Sequence, residues 1–386
     1  MTSLPPASAP SGSPEPAGPS VPLRSVLLAG GGTAGHVSPL LAVADALVRT
    51  QPGVLVTALG TETGLEARLV PQRGYPLAFV PRVPMPRRPN AAALRFPADL
   101  KAAVSAAGAA IDRAQAQVVV GFGGYVSSPA YLAARLRKVP IVVHEQNARP
   151  GFANRLGARL TRHVATTFPS TVLPHAQCLG MPLRREITTL DRRAVRAEAL
   201  TAYGLREGLP TVLVTGGSLG AQRLNEAFAA RACALSAGGI QVLHVTGAGK
   251  EFETSGIDPE VPYRVVSYVD RMDLALAVAD LVVARAGANT VCELTAAGVP
   301  AIYVPLPIGN GEQHVNAADV VSAGGGLLVP DAHVTPDWID TTVVPLIRDR
   351  VRLDAMAAAA GRVGRRDADL AMVELIRTAV AAGGAS

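Results

Sequence analysis

The sequence predicts an α/β protein built on two parallel sheets, and three observations carry that expectation. Its strand-like runs are apolar throughout rather than alternating, as in Val118-Val119-Val120, Ile141-Val142-Val143 and Leu281-Val282-Val283. Runs of this kind suit strands covered on both faces, and the Ala-rich helical stretches between them supply the cover. The third observation is a strand–glycine–helix unit that occurs in each half of the chain. Val26 to Ala29 leads into Gly30-Gly31-Gly32-Thr33-Ala34-Gly35-His36, and Thr211 to Thr215 leads into Gly216-Gly217-Ser218-Leu219-Gly220-Ala221. Glycines let a backbone turn tightly against a ligand, and the helix N-terminus behind them offers free N–H groups and a positive dipole end. Two such units in 386 residues suggest two nucleotide-type domains facing one cleft.

Residues 1–22 are mostly Pro, Ser, Ala and Gly and lack the basic and apolar segments of a signal peptide, so a disordered tail is expected. A first domain, 23–182, has apolar runs near 25–29, 54–59, 77–80, 117–121, 140–144 and 164–167. The stretch 81–97 interrupts this rhythm with Pro81, Pro84, Pro86, Pro89 and Pro97, with Arg82, Arg87, Arg88 and Arg95, and with Met85, Leu94 and Phe96. It reads either as a solvated loop or as a basic, apolar-tipped patch for an anionic membrane, where each cation contributes about 1 kcal/mol. Arg135, Arg137 and Lys138 would extend such a patch. A second domain, 183–364, has apolar runs at 211–215, 241–245, 264–267, 281–284, 300–304 and 326–329. A final segment, 365–386, holds a helix from about 366 to 382 whose face Leu370, Val373, Leu375 and Ile376 requires a partner.

The formal net charge of +6 fits nucleic acid, an anionic membrane or a phosphorylated substrate. Aromatic residues are only 4% and no zinc-finger spacing occurs, which speaks against nucleic acid. Cys178, Cys233 and Cys292 are odd in number and far apart, so neither a disulfide framework nor a metal knuckle is implied and a reduced, cytoplasmic setting is expected. The longest uncharged stretch, Ser25 to Ala44, carries four glycines and reads as the first strand–loop–helix. Any membrane contact would be peripheral.

Gly30, Gly32 and Gly35 satisfy G-x-G-x-x-G, which alone suggests a dinucleotide with Glu62 on its ribose. His36 at the helix entrance and the different spacing of Gly216-x-x-x-Gly220 argue otherwise. A histidine there lies at the carboxyl edge of the sheet, where ligands bind, and its ordinary pKa suits removing a hydroxyl proton. The alternative is a histidine that only caps the helix. Gly121-Phe122-Gly123-Gly124-Tyr125 forms a third glycine turn on this edge. His144-Glu145-Gln146-Asn147 directly follows a strand and is expected outside the core, at the cleft. A polyhydroxylated ligand suits Gln146 and Asn147 better than a metal, since no second ligand pair stands at helical spacing. Glu293 opens the helix after Ala284–Thr290; it either complements the dipole or accepts both hydroxyls of a ribose. Gly309 to His314 and Asn316 gather further polar residues at a strand end. Asp367-Ala368-Asp369 imitates a D-x-D metal motif but opens a helix, so it reads as solvated surface. Helix N-termini and Arg184 would carry a diphosphate without metal.

The segments GGTAGH (31–36), GFGGYVSSP (121–129), HEQN (144–147), GMPLR (180–184), GGSLGA (216–221), RAGANTVCEL (285–294) and EQHVNA (312–317) make the family legible. In this order and spacing the chain resembles the MurG family of bacterial N-acetylglucosaminyltransferases from about Arg24 to the last helix. The resemblance implies a GT-B fold whose last helix crosses back to the first domain. It implies inverting, metal-independent and cofactor-free transfer of N-acetylglucosamine from UDP to the C4 hydroxyl of a muramyl-pentapeptide on undecaprenyl diphosphate. The work would be done peripherally, at the anionic cytoplasmic face of the plasma membrane. By the same resemblance, Thr33, Ala34 and Gly35 meet the acceptor diphosphate or donor sugar, His36 is the base and Asn147 contacts the sugar. Arg184 and Ser218 hold the UDP diphosphate, and Val269 gives backbone contacts to uracil. Ala288, Asn289, Thr290, Val291 and Cys292 line the nucleotide, Glu293 takes the ribose and Gln313 the sugar hydroxyls. Ala34, Met181 and Leu219 depart from the usual family glycine, asparagine and polar residue. A UDP-N-acetylglucosamine 2-epimerase of the same twin-domain plan is the rival reading. It would need several acid/base carboxylates around the sugar and no lipid-facing patch.

Overall fold

Every apolar run above forms a strand, within a residue or two at its ends. The structure, a computed structural model, describes residues 22–84, 91–217, 220–308 and 310–384. The tail expected over residues 1–22 (all but Pro22), Met85, Arg87, Arg88, Ser218 and Leu219 lie outside the described residues. The first sheet holds β1 (Ser25–Ala29), β2 (Leu55–Gly60), β3 (Leu77–Phe79), β4 (Val118–Gly121), β5 (Ile141–Glu145), β6 (His163–Thr166) and β7 (Ala176–Cys178), in the order 3-2-1-4-5-6-7. The second holds β8 (Thr211–Thr215), β9 (Gln241–Val245), β10 (Tyr263–Val266), β11 (Leu281–Ala284), β12 (Ala301–Tyr303) and β13 (Gly326–Leu328), in the order 10-9-8-11-12-13. Only β7 had no counterpart in the sequence reading, because Ala176-Gln177-Cys178 is a largely exposed edge strand with no apolar run.

All pairings are parallel, with Leu27 beside Val119 and Val214 beside Val283. Alternate residues of one strand enter different cores: Val26 and Leu28 pack with Val118 and Val120, while Leu27 and Ala29 pack with Val119 and Val143. Both faces are covered, which is why these strands carry no polar alternation. The strand order reverses between β1 and β4 and again between β8 and β11, so a crevice opens at the carboxyl ends of those strands.

The last helix, Ala368–Gly384, lies against the helix Ala34–Thr50 that follows the first glycine loop. Met372, Val373, Leu375 and Ile376 join the core of Val26 and Leu28, whereas Leu370 is 47% exposed and does not belong to the buried face. Asp369 corrects a second expectation. It is buried and bonds Arg49, whose side chain remains partly exposed, at 2.7 Å, so only Asp367 of the D-x-D pair is solvated surface. A partner 320 residues away leaves no local signal. Ile376→Ala should cost about 2–5 kcal/mol in urea unfolding, as for other buried isoleucines. A loss below about 0.5 kcal/mol, the range of surface substitutions, would mean that this helix does not dock in solution.

The 81–97 stretch is less loop-like than expected, because a helix, Ala91–Ala114, already contains Leu94, Arg95, Phe96 and Pro97. Leu94 is 85% exposed, and the Arg82 guanidinium lies 5.2 Å from the ring centre of Tyr125. Arg137 is bonded to Asp112 at 2.7 Å.

Candidate active site

One cavity of about 710 Å³ is walled by both domains. Thr33, Gly35 and His36 enter from the first glycine loop, and Gly287, Ala288 and Glu312 from the second domain. Its lining includes the polar residues Glu145, Gln146, Asn147 and Asn154 and the apolar Val83, Phe96, Leu100 and Phe152. The two walls are pinned together. Asn289 Nδ2 donates to the Ala34 carbonyl at 3.2 Å, so two helix N-termini meet at the cleft. Asn316, buried, accepts from Ala148 N at 2.9 Å and donates to Asn147 Oδ1 and to the Ala286 carbonyl, each at 3.3 Å.

His36 sits in the first turn of the helix Ala34–Thr50, its Nδ1 3.1 Å from the Gly31 carbonyl and 3.1 Å from Thr33 Oγ1. A carbonyl only accepts, so Nδ1 carries the proton and Nε2 presents a free lone pair. This bonding is not a cap, because the His36 ring donates to a carbonyl ahead of the helix and accepts from none of the helix N–H groups. Burial lowers the imidazole pKa below its ordinary 6.5, opposed by the Gly31 hydrogen bond and by the charge of Glu66. A Cβ at Gly123 would stand 3.2 Å from Nε2 and 3.3 Å from Asn154 Nδ2, so glycine keeps the cavity open beside both nitrogens.

The HEQN segment corrects the sequence reading. The strand β5 runs through Glu145, and His144, Glu145 and Gln146 are all buried. His144 is structural: Nε2 bonds the Gly180 carbonyl at 2.9 Å, and burial pushes its pKa down to about 4. The Glu145 carboxylate accepts from Asn147 N, Gly151 N and Asn154 Nδ2, while burial raises its pKa. Gln146 Oε1 and Asn289 Oδ1 are buried acceptors without a protein partner. Native proteins seldom leave such atoms unused outside functional sites.

In the second domain Glu293, in the helix Ala288–Ala297, pairs with Arg184 at 3.3 Å. Burial raises the Glu293 pKa and the guanidinium opposes that shift. Ala288 faces the main cavity, but Val291 and Cys292 line a separate cavity of about 300 Å³ behind the helix, shared with Cys178 and Thr295. Val269 is buried as well, and none of these three lines the main cavity. Thr290 is half-buried in the first turn of this helix. Gln313 Oε1 accepts from Leu306 N at 3.0 Å, leaving its amide NH₂ for another partner.

Sequence reasoning missed Glu66, Asn154 and the bridging role of Asn316. Glu62, the carboxylate singled out there, is exposed; the one that reaches the glycine loop is Glu66, four residues on. Asn316 lies within the EQHVNA segment and could have been found from it, whereas Glu66 has no motif around it. Among the described residues no group of three His, Cys, Asp or Glu side chains is placed to hold a metal ion, and no helix is long and apolar enough to cross a membrane.

Residues 26–166 match the glycosyltransferase family 28 N-terminal domain and residues 211–372 its C-terminal domain. A Leifsonia xyli protein is 57% identical over 361 residues, covering 93% of this chain and all of that protein. A Streptomyces avermitilis protein is 54% identical, covering 92% of this chain and 99% of its own length. Both bear the name UDP-N-acetylglucosamine–N-acetylmuramyl-(pentapeptide) pyrophosphoryl-undecaprenol N-acetylglucosamine transferase. Among solved structures, Acinetobacter baumannii MurG superposes with a TM-score of 0.74 at 30% identity, covering 92% of this chain and 99% of that one. S. aureus MnaA, at 13% identity and a TM-score of 0.64 over 92% of this chain and 96% of its own, shares the fold. With both domains matched and relatives this similar over nearly all of its length, the chain belongs to glycosyltransferase family 28 and, within that family, to the MurG enzymes of the GT-B fold.

Proposed function

We propose that this chain transfers N-acetylglucosamine from UDP to the C4 hydroxyl of a muramyl-pentapeptide carried on undecaprenyl diphosphate, with inversion and without metal or cofactor. The observation that carries the reading is the cavity of about 710 Å³ walled by both domains, with His36 Nε2 free beside it. Residues 23–182 form the acceptor unit and 183–364 the donor unit, and the last helix, Ala368–Gly384, returns to the first. The C4 oxygen attacks the anomeric carbon as the bond to the UDP oxygen breaks; the hydroxyl proton passes to His36 Nε2 and UDP leaves as the anion. Thr33, Ala34 and Gly35, at a helix N-terminus, face a diphosphate or the donor sugar, and Asn147 and Gln313 bond sugar hydroxyls. Arg184, with Ser218 of the second loop, neutralises the UDP diphosphate. Glu293 accepts the ribose hydroxyls, and its 3.3 Å separation from Arg184 suits a ligand whose hydroxyls and phosphates are adjacent. Ala288 to Cys292 line the nucleotide, and backbone atoms at Val269 meet the uracil.

The apolar lining residues Val83, Phe96 and Leu100, the exposed Leu94 and the cations Arg82 and Arg95 support peripheral association with an anionic membrane, and the cytoplasmic side follows from the family resemblance. Nucleic acid has no comparable support. The purified chain, given UDP-N-acetylglucosamine and the lipid-linked muramyl acceptor, should release UDP only when both are present. Conversion of UDP-N-acetylglucosamine without acceptor would favour an epimerase instead.

A further inference from the structure

The glycine loop is built around a carboxylate that the proposed reaction has not used. Glu66, fully buried in the helix Glu66–Gln72, accepts from Gly32 N at 2.8 Å, Thr61 N at 2.9 Å and Thr61 Oγ1 at 2.8 Å. Three glycines are cleared for it. A Cβ at Gly31, Gly60 or Gly64 would lie 2.2–2.4 Å from a Glu66 side-chain atom. Gly31 is therefore a glycine for the sake of a carboxylate of its own chain, whereas a Cβ at Gly32 would meet nothing within 4 Å.

The Gly31 carbonyl and the Gly32 N–H belong to one peptide unit. Glu66 holds its N–H end and His36 Nδ1–H binds its oxygen at 3.1 Å. We propose that Glu66 is a positioning residue that acts on His36 through the Gly31–Gly32 peptide, a carboxylate–amide–imidazole relay fixing the tautomer and sustaining the basicity of Nε2. A carboxylate on the N–H polarises the amide and strengthens its oxygen as an acceptor, as hydrogen bonds in series do. A stronger acceptor at Nδ1–H favours the imidazolium that forms when Nε2 takes a proton. The same two influences, the Gly31 bond and the Glu66 charge, oppose the effect of burial on this imidazole.

The other groups facing His36 do not duplicate this. Thr33 Oγ1 is neutral, Asn154 is neutral and bonded to Glu145, and Glu145 in turn is held by backbone N–H donors. Arg149 and Glu312 line the same cavity with opposite charges. The catalytic consequence rests on the reading of His36 as base; the effect of Glu66 on the imidazole does not, and the two are separable by experiment.

The test is the His36 pKa in the full chain, followed by NMR of ring-labelled histidine, with kcat against pH measured in parallel. In Glu66→Gln the charge is lost while the shape is kept. The pKa should fall by half a unit or more, about a threefold change in proton affinity. The acid limb of kcat should follow it, the plateau should drop about 3- to 30-fold as basicity falls, and the KM for UDP-sugar should stay within about twofold. Thr61→Val removes one donor to Glu66 and leaves more of its charge on Gly32 N–H, so the pKa should rise. A loosened loop would instead move both variants the same way. An unchanged pKa in Glu66→Gln, or a fall in both variants, overturns the relay. If Glu66→Gln does not fold, Thr61→Val decides alone: a rise supports the relay, and a fall or no change overturns it. A pKa that shifts without any shift in the kcat limb supports the relay and removes His36 from the role of base.

Discussion

Replacing His36 with alanine is expected to lower kcat by about 10²–10⁴-fold, the usual contribution of a positioned general base. The size follows from geometry. Nδ1 is committed to the Gly31 carbonyl, so Nε2 is the only ring nitrogen able to take a proton, and it borders the cavity that both domains wall. The imidazole must be neutral to act. Its pKa is held below 6.5 by burial, so kcat should stay level through neutral pH and fall only as pH drops below that value. The alanine variant should lose this acid limb along with its rate. Donor KM should change little, since the proposed role of His36 is at the acceptor hydroxyl rather than the nucleotide. A variant that folds and keeps kcat within about threefold would move the base elsewhere, because so small a loss is below what general-base removal costs.

Glu293→Ala should act on the donor instead. A carboxylate that accepts two ribose hydroxyls makes two charge-assisted hydrogen bonds, each contributing about 1.5–3 kcal/mol. Losing both, and leaving Arg184 without its 3.3 Å partner, should reduce kcat/KM about 10²-fold or more, mainly through KM. Glu293→Gln keeps one acceptor oxygen and should fall between the wild type and alanine. UDP binding measured by calorimetry without acceptor isolates the effect from chemistry. Because burial raises the Glu293 pKa, the carboxylate protonates sooner than usual as pH falls, and UDP affinity should weaken over that range. Unaltered UDP affinity in Glu293→Ala would exclude the ribose contact.

Much of the donor half was readable because its signals are local. The turn at Gly216-Gly217 and the polar residues after β11 follow from strand ends meeting helix starts; Glu293, expected to open the next helix, lies in its second turn because that helix already begins at Ala288. The acceptor half was read less completely. His144 looked like a cleft residue because it follows three valine-type positions, yet the Gly180 carbonyl on another segment satisfies it inside the core. Asp369 looked solvated because Arg49 is remote in sequence. Glu66 gave no sign at all. Glu62 and Glu66 are the same residue type on neighbouring turns, and only packing decides which one meets three glycines.

The amino-acid pattern alone determined the twin parallel sheets and their glycine turns, since these depend on the periodicity and spacing of contiguous residues, and its motifs carried the family resemblance. The tertiary structure decided which polar side chains are buried, which carboxylate underlies the first loop and which nitrogen of His36 is free. Those outcomes depend on hydrogen-bond partners brought together from distant segments, and burial makes an unpaired polar group too costly to leave the choice open.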